Sequence, residues 1–223
     1  MTPSKALLLF EPEPEDLPVQ SIIGLVSSIQ QQRALLHDLF LDHIEQLKRQ
    51  SDVHVTAWCT PGDSARCATT GPDNCVSDIR IQAGTTCGDR VSDAFQTLFE
   101  EGFKSVLLVS SHLVGSPRRH IREAFALLDT FDEAIVVGSV RDGSLGVLGM
   151  RYHARNFLQE FHTSQALLGD AMFRLLPATD LIILPLTTIH NPNSLDEIVQ
   201  LVTSDSSDAG SPPSPRFIRH FVT

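Results

Sequence analysis

Ser105-Val-Leu-Leu-Val109 is an apolar run too short for a helix of its own, and it breaks off into Ser110-Ser111-His112. Further on, Glu133 to Ser139 forms a second such run, after which the chain passes through Asp142-Gly143. Apolar runs of this length, bounded by small polar residues, read as strands buried on both faces. A buried strand that opens into small polar residues leaves a rim where a ligand can approach the backbone. In α/β sheets ligands gather at the carboxyl ends of strands.

The rest of the chain alternates in the same way. Lys5 to Phe10 reads as a first buried strand, ended by Glu11-Pro-Glu-Pro-Glu-Asp16, since proline cannot serve a central ladder. Leu35, Leu36, Leu39, Phe40, Ile44 and Leu47 recur at helical spacing and predict a helix over 30–50. Val53 to Trp58 and Asp78 to Gln82 read as strands, with 60–77 a loop by composition. Val91, Ala94, Phe95, Leu98 and Phe99 mark a helix that Gly102 closes. Ser116-Pro117 reads as an N-cap with proline at the first helical position, opening a helix to about Leu128. Leu145 to Met150 is a further strand, 164–176 a helix, and Leu181 to Leu184 a strand. Ser194-Leu-Asp-Glu197 fits a capping box for the last helix. Strands alternating with helices imply a three-layer α/β/α architecture with a mixed, mainly parallel sheet and helices on both faces.

One domain is expected over 1–203, then a Ser/Pro/Asp-rich mobile segment over 204–215. Residues 216–223 form a docking strand or tail, or help pair two subunits as a homodimer. The net charge of −10 repels phosphate-rich partners, which argues against nucleic acid. No apolar run is long enough to span a membrane and no secretory leader is visible, so a cytoplasmic protein is expected. Cys59, Cys67, Cys75 and Cys87 match no zinc spacing and read as reduced thiols in and around a loop. No Gly-x-Gly-x-x-Gly and no P-loop is present.

Between about Gln82 and Leu201 four segments carry a family resemblance. Gln82 through Phe95 is similar to a Gln-Gly-x-Gly-x-Leu-Gly-x-Arg-Met segment, with Gln82, Gly88, Arg90, Ala94 and Phe95 retained. Val106 to His112 is similar to a strand ending in Gly-Ser-Asp, and Asp142-Gly143-Ser144 through Arg151 to Asp-Gly-Gly-Tyr-Tyr-Leu-Leu-Gly-Leu-Arg. Leu184 to Leu195 is similar to a stretch holding Asp-Val-Asp-Thr-Pro-x-Asp-Leu, and His162-Thr163-Ser164 falls where Trp-Ser-Thr stands. In this order and spacing the chain resembles a bacterial family of GT-A-fold, nucleotide-diphospho-sugar-transferase-like proteins, distantly similar to the guanylyltransferase that builds a deazaflavin cofactor.

The resemblance implies nucleotidyl or glycosyl transfer from a nucleotide or nucleotide sugar. Ser110, Ser111, Gly88, Arg90, Asp142 and Gly143 would then be cleft or substrate contacts, while the resemblance leaves the catalytic group itself unassigned. It also implies a Lys and an Arg after the first strand to hold phosphates, and two carboxylates to grip Mg²⁺. Here the first loop is acidic and no basic residue lies between Lys5 and Arg33. The two carboxylate positions are His112 and His190. Imidazole is a poor ligand for Mg²⁺, which wants hard oxygens. Two readings follow. In one, the metal site has been lost, the histidines are neutral fillers, and the protein is a binding or regulatory relative. In the other, His112, His190 and Asp142 form a two-His, one-carboxylate set suited to Zn²⁺, Mn²⁺ or Fe²⁺, which places the two imidazoles within a few ångströms of one another.

Overall fold

The computed structural model describes residues 4–47, 53–61, 78–161, 181–203 and 214–221. Seven strands make one sheet: β1 (Lys5–Phe10), β2 (His54–Cys59), β3 (Asp78–Ile81), β4 (Ser105–Ser110), β5 (Ala134–Ser139), β6 (Leu145–Arg151) and β7 (Ile182–Pro185). Their order is β3-β2-β1-β4-β6-β5-β7. All neighbours run parallel except β6, which is antiparallel to both β4 and β5. The sheet is therefore mixed and mainly parallel, as the alternation of runs implies.

Central strands alternate their side chains between two apolar layers. Ala6, Leu8, Phe10, Val106 and Leu108 face one layer, packed by Val91, Phe95 and Leu98 of α2 (Cys87–Glu100). Leu7, Leu9, Val55, Leu107 and Val109 face the other. That face is covered by Phe40, Ile44 and Leu47 of α1 (Ile29–Leu47) and by Ile121, Phe125 and Leu128 of α3 (Arg118–Thr130). A third cluster joins Leu17 and Ile22 of the first loop, Leu35 and Leu39 of α1, and Ile198 of α5 (Leu195–Thr203). Phe217 of α6 (Pro215–Ile218) completes it. A short α4 (Phe157–Phe161) leans on α2.

Several element boundaries differ from the sequence expectation for local reasons. Pro117, not Ser116, occupies the cap position of α3, and no side chain caps that end. The Ser194–Glu197 box is half made: Ser194 Oγ accepts the Glu197 amide, while Glu197 Oε2 reaches one residue further back, to the Asn193 amide. The segment expected as a docking strand after Arg216 is instead α6, held to α1 by polar contacts. Arg219 Nη2 donates to Asp38 Oδ2 at 2.6 Å, His220 Nε2 donates to the same oxygen at 2.6 Å, and Ser214 Oγ donates to Asp42 Oδ2. A strand there would need a free sheet edge, whereas Phe217 finds its burial against helices. The helix expected over 164–176, the loop over 62–77 and the segment over 204–213 lie outside the described residues.

Cys59 is disulfide-bonded and Cys87 is a free, buried thiol, so the reading of four reduced thiols is corrected at Cys59. A disulfide persists in oxidising surroundings, so the expectation of a cytoplasmic protein loses the support that reduced thiols would have lent it. Among the described residues no helix is long and apolar enough to cross a membrane.

The approach to α2 depends on one glycine. Thr86 caps the helix through its side chain, which accepts the Asp89 amide at 3.0 Å, and Asp89 Oδ2 returns the contact to the Thr86 amide at 3.0 Å. To enter this capping box the chain turns back at Gly84, whose φ is +134°. A Cβ at Gly84 would lie 2.8 Å from the Arg90 backbone nitrogen. Replacing Gly84 with alanine is expected to cost about 2–3 kcal/mol, the sum of a left-handed backbone and a clash with main chain. A urea melt of the variant checks it, and an unchanged midpoint would contradict the close approach.

Candidate functional site

The carboxyl ends of β1, β2, β4, β5 and β7 share one edge of the sheet, because those strands run parallel. The chain leaves β1 as Glu11, whose side chain turns inward and is buried. Its Oε1 accepts from His37 Nδ1 at 3.0 Å, and its Oε2 accepts the Thr60 amide at 3.1 Å. Gln82, at the end of β3, donates its side-chain amide to the carbonyls of Glu11 and Trp58 at 2.6 and 2.9 Å. The strand ends are thus stitched together by side-chain-to-backbone bonds, which pair the Glu11 carbonyl and add a second donor to the Trp58 carbonyl that the Glu11 amide already reaches.

The acidic loop is used internally. Asp16 is buried against Arg90, with Arg90 Nη2 donating at 2.7 Å to Oδ1 and 2.5 Å to Oδ2. Burial pushes the Asp16 carboxyl up from its ordinary value, and the Arg90 charge opposes that shift. Arg90, a candidate phosphate or substrate contact, is therefore committed to this ion pair. Beside the loop lies a cavity of about 80 Å³ lined by Glu11, Glu13, Pro14, Arg33 and Thr60. None of Ser110, Ser111, Gly88, Arg90, Asp142 or Gly143 lines it.

At the end of β4 four polar side chains form one line. Ser110 Oγ donates to His112 Nδ1 at 2.6 Å, and His112 Nε2 donates to Ser144 Oγ at 2.8 Å. Ser144 Oγ in turn donates to Asp142 Oδ1 at 2.6 Å. The carboxylate can only accept, so the direction of every proton in the line follows from that end. His112 is fully buried, and both ring nitrogens are used. Burial holds its pKa down to about 4, the nearby Asp142 acting in the opposite sense. Ser111 Oγ is buried with no partner, and so is Asp142 Oδ2.

Asp142 and Gly143 form a tight turn between β5 and β6. Gly143 has a φ of +86°, its amide donates to the Val140 carbonyl at 2.9 Å, and the Ser144 amide donates to Asp142 Oδ1 at 2.9 Å. An aspartate accepting the amide two residues on is a common turn device. Asp142 thus builds its own turn and terminates the His112 line with one oxygen. Gly88 lies buried in the first turn of α2.

His190 sits elsewhere on the rim. It follows Ile189, which bridges Val140, and its side chain is 54% exposed. Its Nε2 lies 3.2 Å from Arg141 Nη1 and 4.0 Å from Glu197 Oε1. The structure brings His112 and Asp142 together through Ser144, and leaves His190 with Arg141. Among the described residues no group of three His, Cys, Asp or Glu is placed to hold a metal ion. The residues present also do not fit the divalent ion implied by the resemblance. A buried imidazole engaged at both nitrogens stands in the carboxylate position, and among the described residues of this line Asp142 Oδ2 is the one carboxylate oxygen without a partner.

Three contributors to this edge are not among the site residues that the sequence singles out. Ser144 joins His112 to Asp142, and Asn191 ties the two loops by donating to the His112 carbonyl and accepting the Val114 amide, each at 2.9 Å. The third is His43 of α1, buried with neither nitrogen partnered, whose pKa burial lowers to about 4, with repulsion from His112 adding to it. Only the Asp-Gly-Ser turn could have flagged Ser144; nothing local marks Asn191 or His43.

No curated protein sequence matches the chain. Solved structures do match. A Desulfovibrio desulfuricans protein carrying the provisional name nucleotide-diphospho-sugar transferase aligns with a TM-score of 0.72 at 20% identity, over 96% of this chain and 92% of its own. The 4-diphosphocytidyl-2C-methyl-D-erythritol synthase of Anaerococcus prevotii aligns with a TM-score of 0.53 at 9% identity, over 88% of this chain and 94% of its own. A Mycobacterium tuberculosis protein, Rv0371c, solved in complex with manganese, aligns with a TM-score of 0.50 at 12% identity, over 90% of this chain and 98% of its own. At these identities the likeness is one of fold: this chain has the nucleotide-diphospho-sugar-transferase fold that its sequence resemblance implies. A family pattern also matches, over residues 43–165, and on that match the chain belongs to the bacterial family described as uncharacterized protein conserved in bacteria (DUF2064).

Proposed function

We propose that this chain is a divergent nucleotidyl- or glycosyltransferase-like protein that keeps the transferase scaffold and acts by binding, without Mg²⁺-nucleotide transfer at the strand ends. The observation that carries this reading is His112. It stands where the resemblance calls for a metal-gripping carboxylate, and it is buried with both ring nitrogens bonded to serines. The acidic loop supports the same reading. Glu11 is committed to His37 and Thr60 and Asp16 to Arg90, so a triphosphate would meet carboxylates where it needs cations.

The fold likeness favours a competing reading, active transfer from a nucleotide sugar or nucleoside triphosphate. One titration separates the two. Calorimetry with CTP, GTP and UDP-glucose, with and without Mg²⁺, is expected to show no Mg²⁺-dependent heat. Micromolar Mg²⁺-dependent binding would restore the transferase. A transition-metal centre built from His112, Asp142 and His190 is the third reading. It would require His112 to give up a serine and His190 to leave Arg141, and elemental analysis of the purified protein tests it directly.

A further inference from the structure

The opposite edge of the sheet, where β4 begins and β6 ends, is built differently. Lys104 precedes β4 and Tyr152 follows β6, and the Tyr152 amide donates to the Lys104 carbonyl at 3.0 Å, which fixes the two residues side by side. Around them lies a cavity of about 410 Å³, lined by Phe99, Phe103, Lys104, Arg151 and Tyr152 among others. A second cavity of about 220 Å³ shares Phe99 and Tyr152 and adds Arg155. The larger volume is in the range of small-molecule sites. The six residues of β4 separate this edge from the strand-end rim by roughly 20 Å.

We propose that this edge is a second ligand site, for an aromatic phosphate monoester of the size of a nucleoside monophosphate. The ring component follows from the aromatic walls. Tyr152 is 42% exposed and stands edge-on to Phe99, with ring centroids 5.8 Å apart. The Arg155 guanidinium lies 3.9 Å from the Tyr152 centroid and covers one side of the ring. Arginine stacked on an aromatic is a surface on which a flat ring can lie. The charge component follows from the cations. Lys104 and Arg155 have no carboxylate within ion-pair distance among the described residues, in a protein of net charge −10. Arg151 lines the cavity but is paired with Asp132 and the Leu128 carbonyl, so it is not one of these two cations. Glu100 lines only the smaller cavity and accepts the Gln96 amide. Two cations without a carboxylate partner among the described residues suit a phosphate monoester, which carries close to two negative charges at neutral pH, better than a single carboxylate.

The chain contains one tyrosine and one tryptophan, and these sit at opposite edges: Tyr152 in this site, Trp58 at the carboxyl end of β2. The full chain labelled with 3-fluorotyrosine, or separately with 5-fluorotryptophan, therefore gives a single fluorine resonance for each edge. Titration with AMP is expected to move the fluorotyrosine signal saturably and to leave the fluorotryptophan signal in place. Adenosine alone and inorganic phosphate alone are expected to bind at least tenfold more weakly, since each lacks one half of the recognition. Lys104→Met and Arg155→Met should each weaken AMP binding by about tenfold, the effect of one charge-assisted hydrogen bond. A fluorotyrosine signal unmoved at millimolar AMP overturns the proposal. So does a shift in both labels together, or unchanged affinity in both variants. The strand-end rim takes no part in the fluorotyrosine readout, so the fate of the binding reading there is decided separately.

Discussion

Replacing Arg90 with alanine is expected to lower the stability of the fold by about 3–5 kcal/mol at pH 7, the usual result of removing one partner from a buried ion pair. The side chains of Arg90 and Asp16 are 8% and 5% exposed, so water cannot take over what the guanidinium supplies. Burial already raises the Asp16 carboxyl, and Arg90 is the first of the influences that lower it. Without Arg90 the native carboxyl rises further above its unfolded value. A group raised in the folded state stabilises below the unfolded pKa and loses that contribution as pH climbs through the folded one. The deficit of the variant should therefore be largest at neutral pH and shrink on acidification, as Asp16 takes up a proton in place. Urea melts at pH 7 and pH 5 measure this. The double variant Arg90→Met, Asp16→Asn is expected to regain much of the loss, since it removes both charges. A deficit independent of pH would show that Arg90 contributes packing and not charge.

Acidification of the native protein should act through two other residues. His43 and His112 are buried, and burial lowers both pKa values to about 4. In the unfolded chain they titrate near the ordinary value of about 6.5. Here the unfolded state binds the extra protons, so the neutral imidazoles leave stability intact above pH 6.5. It is lost as pH falls from there towards 4. Each shift corresponds to about 3 kcal/mol when complete, a large part of the stability of an ordinary domain. The denaturant midpoint should drop steeply over that window. His43→Leu makes the sharper test. His43 has no hydrogen-bond partner for either nitrogen among the described residues. Leucine restores the apolar burial, deletes one titrating group and should flatten the slope by about half while stabilising the protein at pH 5. A parent and variant with the same pH slope would refute the assignment.

Much of the fold is legible in the residues. Lys5–Phe10 and Ser105–Ser110 are read almost to the residue because both faces of a central parallel strand are buried, and an unbroken apolar run has few alternatives. The helix carrying Leu35, Phe40 and Ile44 is legible for the complementary reason, one buried stripe at helical period. The errors fall where a choice depends on something distant. Arg216 to Phe221 is too short for its apolar residues, Phe217, Ile218 and Phe221, to be read as more than a candidate strand, and the helix is held by the Ser214 cap and by Asp38 and Asp42, far away in sequence. Cys59 reads as a thiol in the sequence and is disulfide-bonded in the structure, a pairing that order along the chain does not reveal.

The site divides along the same line. Sequence alone determined which residues stand at the strand ends: Glu11 after β1, Ser110-Ser111-His112 after β4, Asp142-Gly143 after β5. It also determined that histidine and an acidic loop replace the residues that the transferase resemblance implies. Order along the chain carries no information about which polar groups meet. Only the tertiary structure decided that His112 spends both nitrogens on Ser110 and Ser144, that His190 faces Arg141, and that Arg90 closes on Asp16. Burial is the physical reason. Polar groups withdrawn from water must find partners among whatever the fold brings within 3 Å, and the packing of helices on a sheet sets that company.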